Sequence, residues 1–321
     1  MKVTAKAPAN IAFIKYWGKK NEKLRLPANS SISMNLSNAF SITSVEFDKK
    51  FNEDMVKIDG TVASGGEKER VARHLSLVRK IAGKSDYAEV ISKNNFPKAS
   101  GIASSASGFA ALTVAGAKAA GLSLSEKQLS ILARLGSGSA CRSIPSGFVE
   151  WKEGSKNEDS YAHSLYSPNY WEIYDLIAVV GENSKKVSST EGHAIAESSP
   201  FYKTRIVEMK NKIKEIKLAL KDKDFTRFGE ILEAEAINMH TVMMTSIPPL
   251  FYWLPMTLAT ILKIMEWRER GLESYFTIDA GPNIHVICQG KDKAKIGRRL
   301  LSLEGIKDVI VNRPSVGARV I

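Results

Sequence analysis

The chain has 321 residues, an apolar fraction of 44% and a formal charge of +12 at neutral pH. That length allows two domains or one large one with a sizeable core; only two cysteines, Cys141 and Cys288, exclude a disulfide framework and fit a reducing, cytoplasmic setting. No apolar run reaches membrane-spanning length, residues 11–14 are too short for a signal peptide, and the positive charge points to an anionic partner, either nucleic acid or a polyphosphorylated small molecule.

Residues 2–7 alternate as a strand, Pro8 breaks the pattern, and residues 11–17 form a second extended run. Lys15 stands inside that run between Ile14 and Tyr16, where a half-buried ammonium needs a partner; a wet-face lysine beside packed Tyr16 and Trp17 fits the pattern too. A polar loop at 26–33 leads into a strand pair, and 43–47 and 56–59 read as strands with Gly60 at a turn. Residues 68–82 carry the helical stripe Val71, Leu75, Val78 and Ile81. Arg70 and Arg73 lie near the start of that helix, the unfavourable end for a cation, so either a bound anion or simple exposure accounts for them.

Residues 94–112 read NNFPKASGIASSASGFAAL: a proline turn, then small residues, then a small-residue helix over 104–120. The first turn of a helix has unpaired N–H groups and a positive dipole end, both of which attract phosphate. Gly101 permits close approach, and Ser104, Ser105 and Ser107 can cap the helix or hold phosphate oxygens. A capped helix packed through small residues is the plainer account. The common phosphate loop is excluded, because Gly83-Lys84-Ser85 lacks the earlier glycine at Val78.

Residues 125–135 form a helix with a Ser125–Gln128 capping box. The segment GSGSACRS follows, from Gly136 to Ser143, with Arg142 able to fork onto a carboxylate or phosphate. A strand at 148–152 precedes a polar, turn-rich stretch at 156–171 that marks a domain boundary. Beyond it come a strand at 175–180, a basic hydroxyl-rich loop at 185–192, helices at 201–220, 225–245 and 257–270, and a strand-turn-strand unit at 275–288. A helix near 291–303, a strand at 308–311 and a strand-like tail at 318–321 complete the chain. Asp279 ends an apolar strand beside Ala280-Gly281-Pro282; it is either a desolvated acid with a partner or an Asx turn. No metal-ligand spacing occurs, so any metal is Mg²⁺ carried by a nucleotide. The basic residues are dispersed over many helices and turns, without the arginine-rich block or aromatic–basic alternation expected for nucleic acid.

Four segments, APANIAFIKYWGK, NNFPKASGIASSASGFAAL, GSGSACRS and YFTIDAGPN, joined by LPANSSIS and VSSTEG, resemble the mevalonate diphosphate decarboxylases of the GHMP kinase superfamily across essentially the whole chain. The resemblance implies an α+β two-domain fold. A ribosomal protein S5 domain 2-like domain spans residues 1–170, a ferredoxin-like domain spans 171–321, and the active site lies between them. It implies ATP with Mg²⁺, phosphorylation of the tertiary 3-hydroxyl of mevalonate 5-diphosphate, and loss of phosphate and CO₂ to give isopentenyl diphosphate for isoprenoid synthesis. It assigns Asp279 to the hydroxyl as base or orienter, Lys15 to the phosphoryl charge and Arg142 to the substrate carboxylate. Substrate and its diphosphate fall to Tyr16, Trp17, Gly18, Lys19, Arg70, Ser137, Gly138, Ser139, Ala140, Cys141, Arg142 and Thr190. ATP phosphates fall to Pro97, Gly101, Ser104, Ser105, Ser107 and Gly108, with Asn10 lining the same cleft. A homodimer is the family's common assembly. Three alternatives stay open: the same reaction on mevalonate 5-phosphate, a 3-kinase that stops before decarboxylation, and an RNA-binding protein built on the S5-like domain.

Overall fold

The computed structural model describes residues 1–96, 104–180 and 187–321. The chain opens with strands β1 (Lys2–Ile14), β2 (Lys19–Asn21), β3 (Leu26–Pro27), β4 (Ser31–Phe47), β5 (Met55–Ile58) and β6 (Thr61–Val62). Helix α1 (Gly65–Ala82), strand β7 (Ala88–Asn94), helices α2 (Ser104–Ala119) and α3 (Glu126–Gly136), a 3-10 turn (Gly138–Ser143) and strands β8 (Phe148–Trp151), β9 (Ala162–Tyr166) and β10 (Ile173–Val179) follow. Then come helices α4 (Ser189–Ile195), α5 (Tyr202–Asp222), α6 (Phe225–Met244) and α7 (Pro255–Glu269). Strands β11 (Tyr275–Thr277) and β12 (Ile284–Gln289), helix α8 (Lys293–Leu301) and strands β13 (Asp308–Asn312) and β14 (Arg319–Val320) end the described elements.

Two sheets result. The larger runs β14-β1-β4-β7-β5-β6, with β8 on the first part of β4 and β9 beyond it. The smaller is antiparallel throughout, in the order β13-β10-β12-β11. Numbered within its own half that order is 4-1-3-2, the ferredoxin-like arrangement, so the α+β two-domain expectation holds.

Three local expectations change. Pro8 does not break the first strand: β1 runs through it, pairing Pro8 with Phe40 and slipping register before Asn10. A bulge absorbs the missing N–H, and β14 has already ended its pairing at Lys6, so no second ladder has to continue. The polar loop expected at 26–33 is shorter: Leu26 and Pro27 form β3, and β4 begins at Ser31 and runs unbroken to Phe47. Several polar residues of β4 are buried with partners. Asn35 Nδ2 donates to the Pro145 carbonyl at 2.6 Å, and Thr43 and Ser92 share a 2.9 Å hydroxyl bond. Within the stretch assigned to a boundary, residues 162–166 form β9, held by antiparallel pairing to β8.

The capping box is present: Ser125 N donates to Gln128 Oε1 at 2.8 Å, and Gln128 N donates to Ser125 Oγ at 3.3 Å. Helix α2 buries Ala106, Ala110, Ala111 and Ala115, and these small side chains let its backbone lie close on β1 and β4. One core lies between that sheet and α1–α3, around Val45, Leu75, Val90 and Leu132. A second joins the halves: Ile11, Phe13 and Ile14 of β1 pack with Ile173, Ile177 and Ile287 of the small sheet and Phe228 and Leu232 of α6. A third fills the space under α7 and α8, around Ile264, Val286 and Leu300.

His74 on α1 is buried, with Nε2 2.8 Å from Thr113 Oγ1; His240 on α6 is buried beside Trp253. Burial holds His74 at about 4 and His240 at about 3, below the ordinary 6.5. The unfolded chain therefore binds protons that the folded chain refuses as pH falls below about 6.5, so stability must rise with pH across that window. We expect urea midpoints to fall between pH 7 and pH 5, each histidine costing up to about 1.4 kcal/mol per pH unit. The slope should be shallower in His74→Gln. A midpoint that stays flat would show that these rings carry protons in the fold.

Candidate active site

β1 delivers Lys15 one residue past its end, into the space between the two sheets. The side chain is only 1% exposed, and Nζ donates to Asp279 Oδ1 at 2.7 Å. The backbone of Lys15 is held just as closely. Its N–H donates to Glu235 Oε1 at 3.2 Å, and its carbonyl accepts from Asn29 Nδ2 at 2.8 Å and Arg205 Nη2 at 3.3 Å. Arg205 and Glu235, from α5 and α6, are themselves ion-paired at 2.5 Å, and Lys212 reaches the other Glu235 oxygen at 3.3 Å. Burial pulls the Lys15 pKa below the ordinary lysine value, while Asp279 and Glu235 oppose it. Asp279 lies two residues beyond β11. Burial raises its pKa, but Lys15, His285 and Arg142 together hold it below the usual carboxylate range. The acid is ionised at neutral pH and has an oxygen toward the cleft.

Arg142 sits in the 3-10 turn, 3% exposed. Its Nε donates to Asn10 Oδ1 at 3.1 Å, and its Nη1 donates to Ser31 Oγ at 2.8 Å. Its plane lies 5.9 Å from the Trp151 ring. No described residue engages Nη2, and Arg142 lines the cleft. Asn10 thus stands behind Arg142 rather than in the cleft; it also donates to Ser143 Oγ at 2.8 Å.

The cleft has a volume of about 340 Å³. Lys15, Asp279 and Arg142 meet there with Tyr16, Trp17, Lys19, Arg70, Ser137, Gly138, Ser139 and Thr190. Gly138 is required by contact: a Cβ there would stand 2.7 Å from the Tyr16 ring. Gly18, Ala140 and Cys141 support the wall without lining it. Gly18 N donates to His193 Nδ1 at 2.9 Å, Ala140 is fully buried, and Cys141 Sγ donates to the Gly138 carbonyl at 3.0 Å.

A second chamber of about 600 Å³ opens beside the first. Val56, Ile58, Val90, Phe109 and Leu112 make it apolar, and Ser104, Ser105 and Gly108 bring the first turns of α2 to its rim. Ser104 and Ser105 line both spaces, so an anion at the helix start would lie where the two meet. Ser107 points elsewhere: it is fully buried and shares a 2.7 Å hydrogen bond with Ser41. Pro97 and Gly101 lie outside the described residues.

The sequence reading passed over Arg25 and His193, which also line the first cleft. His193 packs against the Tyr16 and Trp17 rings at 4.1 and 4.5 Å. Because Nδ1 accepts from Gly18, the neutral ring carries its proton on Nε2. Its one legible signal is its place three residues after Thr190, on the same turn of α4.

Among the described residues no group of three or more acids, histidines or cysteines could cage a metal, and Asp279 is the single carboxylate lining the first cleft. A magnesium ion arriving on phosphates would find Asp279 and the hydroxyls of Ser104, Ser105, Ser137, Ser139 and Thr190 as oxygens of this cleft.

Residues 7–162 match the model of the diphosphomevalonate decarboxylase-like N-terminal domain, and residues 175–312 match that of the mevalonate 5-diphosphate decarboxylase C-terminal domain. A diphosphomevalonate decarboxylase of Ganoderma lucidum is 37% identical over 91% of this chain and 79% of its own. The crystal structure of the Staphylococcus aureus mevalonate diphosphate decarboxylase is 39% identical, with a TM-score of 0.95 over 100% of this chain and 98% of that one. A solved complex described as MDDEF with MVAPP, AMPPCP and magnesium is 38% identical, with a TM-score of 0.94 over 100% and 99%. Matching halves and a shared fold over the full length show that the chain belongs to the diphosphomevalonate decarboxylase family.

Proposed function

We propose that this protein converts mevalonate 5-diphosphate and ATP into isopentenyl diphosphate, ADP, phosphate and CO₂, with Lys15, Asp279 and Arg142 carrying the reaction. The supporting observation is the Lys15–Asp279 pair at 2.7 Å, facing Arg142 in a cation-rich cleft that opens onto an apolar chamber. The apolar chamber suits a nucleotide base, and the α2 start suits its phosphates. Residues 1–170 would supply the apolar wall of that chamber, and residues 171–321 the catalytic acid. We extend the reading to a cytoplasmic homodimer. Two buried free cysteines fit a reducing compartment, and α7 turns Leu258, Leu262 and Met265 outward as a contact stripe.

A tertiary hydroxide leaves poorly and a phosphate leaves well, so the hydroxyl must first be phosphorylated. Asp279 orients that hydroxyl and takes its proton as the oxygen bonds to phosphorus. A carboxylate with a depressed pKa is a weak base, which suffices where the transition state is loose and positioning dominates. Lys15 places a desolvated positive charge against the transferred group. Magnesium, when bound on the phosphates, neutralises charge on the transferring group. Arg142 holds the substrate carboxylate through its free Nη2 edge. When phosphate departs with the C–O bonding pair, the C–C bond to the carboxylate supplies the electrons of the new alkene and CO₂ leaves.

The direct test supplies ATP and Mg²⁺ with mevalonate 5-diphosphate or mevalonate 5-phosphate and follows ADP and CO₂. Equal release of both from the diphosphate is expected. ADP without CO₂ would make the protein a kinase, and preference for the monophosphate would move it to the alternative substrate. Asp279→Asn should lower kcat about 10²- to 10⁴-fold while nucleotide affinity stays within about threefold. It should also push the Lys15 pKa further down, because burial then acts without its main counter-charge. An unchanged rate would remove Asp279 from the chemistry. Glu235→Gln leaves Arg205 as a buried charge short of its partner, so a stability loss of about 3 kcal/mol is expected in urea unfolding. Single-turnover rates of the folded variant should fall at least about tenfold, because Lys15 loses the negative charge that helps keep it protonated. Stability lost at an unchanged rate would confine Glu235 to the fold.

A further inference from the structure

Among the described residues five cations line the first cleft: Lys15, Lys19, Arg25, Arg70 and Arg142. Three have assigned work. Lys15 pairs with Asp279, Lys19 donates to Glu22 at 2.6 Å, and Arg142 is anchored by Asn10 and Ser31. Among the described residues no side-chain hydrogen bond or ion pair engages the guanidinium of Arg25 or of Arg70. Arg25 and Arg70 line both chambers whereas Lys15, Asp279 and Arg142 line only the first, so the two arginines belong to the end of the cleft away from Lys15.

Arg25 is also held there at a conformational cost. Its φ is 49°, in the left-handed region that an arginine seldom occupies. The rest of the β2–β3 hairpin is pinned around it. Leu24 N donates to Asn21 Oδ1 at 2.8 Å, and fully buried Arg134 donates from Nε to the Leu24 carbonyl at 3.1 Å. Leu26 enters the core at 3% exposure. The left-handed turn sends Leu26 inward and leaves Arg25 facing both chambers, since it lines the second as well as the first. Two unpaired guanidinium groups held near each other repel until an anion bridges them.

The substrate assigned above has two anionic ends. Its carboxylate must lie by Arg142, near Asp279 and the reacting hydroxyl, so its diphosphate must point toward the other end of the cleft. With the substrate laid that way its near phosphate would meet the Ser137–Ser139 turn and Tyr16, and its terminal phosphate would reach beyond them. We propose that Arg25 is the specificity-determining residue for that terminal phosphate, bridging it with Arg70 and selecting the diphosphate over the monophosphate. This rests on the reaction proposed above.

Arg25→Asn is the informative variant, because asparagine tolerates the left-handed backbone and removes only the charge. Arg25→Lys keeps a charge without the fork. With ATP and Mg²⁺ saturating, kcat/KM for mevalonate 5-diphosphate should fall about 10- to 100-fold in Arg25→Asn, mainly through KM. For mevalonate 5-phosphate it should stay within about threefold, and Arg25→Lys should recover part of the difference. Calorimetric binding of inorganic pyrophosphate, which needs no turnover, should weaken by a similar factor while inorganic phosphate changes little. An equal loss for both substrates, or no loss for either with thermal melting unchanged, would overturn the assignment. A wild-type protein inactive on both substrates whose pyrophosphate binding still depends on Arg25 would sink the proposed reaction and leave the phosphate site standing.

Discussion

An ammonium and a carboxylate that leave water together lose more solvation than a mediocre contact returns, and the Lys15–Asp279 pair is compensated from several sides. Glu235 adds a second negative charge behind Lys15, and Arg205 balances Glu235 in turn. The same groups hold the peptide on either side of Lys15. This network ties β1 of the large sheet, the end of β11 in the small sheet, and helices α5 and α6. Charge balance, strand placement and the orientation of one amine are therefore a single constraint. Burial lowers the Lys15 pKa against this network, and the neighbouring cations lower that of Asp279.

The cleft around this pair is electrostatically incomplete. Among the described residues one carboxylate faces five cationic side chains, and the buried turn that carries Arg142 offers hydroxyls rather than acids. Two substrates rich in phosphate supply the missing charge, and their binding to the folded state alone must stabilise it by mass action. On the proposed reading the second chamber divides the labour: its apolar wall would hold the base by shape and dispersion, and charge would hold what is transferred.

Much of this was legible in the sequence because it rests on local rules. The Ser125–Gln128 box, the helices from α5 to α7 and the small-residue face of α2 each follow from spacing. Lys15, Asp279 and Arg142 came through motif resemblance, and the geometry brings all three into one cleft. What was not legible depends on long-range contacts. Asn10 reads as a cleft residue, yet it lies behind Arg142 because β1 and the 3-10 turn meet 132 positions apart. Ser107 shares the composition of its serine neighbours, but the helical turn rotates it into Ser41. Arg25 sits in an ordinary-looking polar hairpin, and no periodicity reveals that its backbone is left-handed or that two chambers meet at its side chain.

The second hydrophobic core has a consequence for how such a protein can change over long times. Each half has a core of its own, but because Ile11, Phe13 and Ile14 continue straight from the large sheet into packing with Ile173, Ile177 and Ile287, part of each interior is shared. A recombination event that exchanged one half for an unrelated partner would expose half of a shared interior. The two halves are therefore inherited as a pair, and new substrates have to be reached by altering hairpins and turns at the rim rather than by trading whole modules.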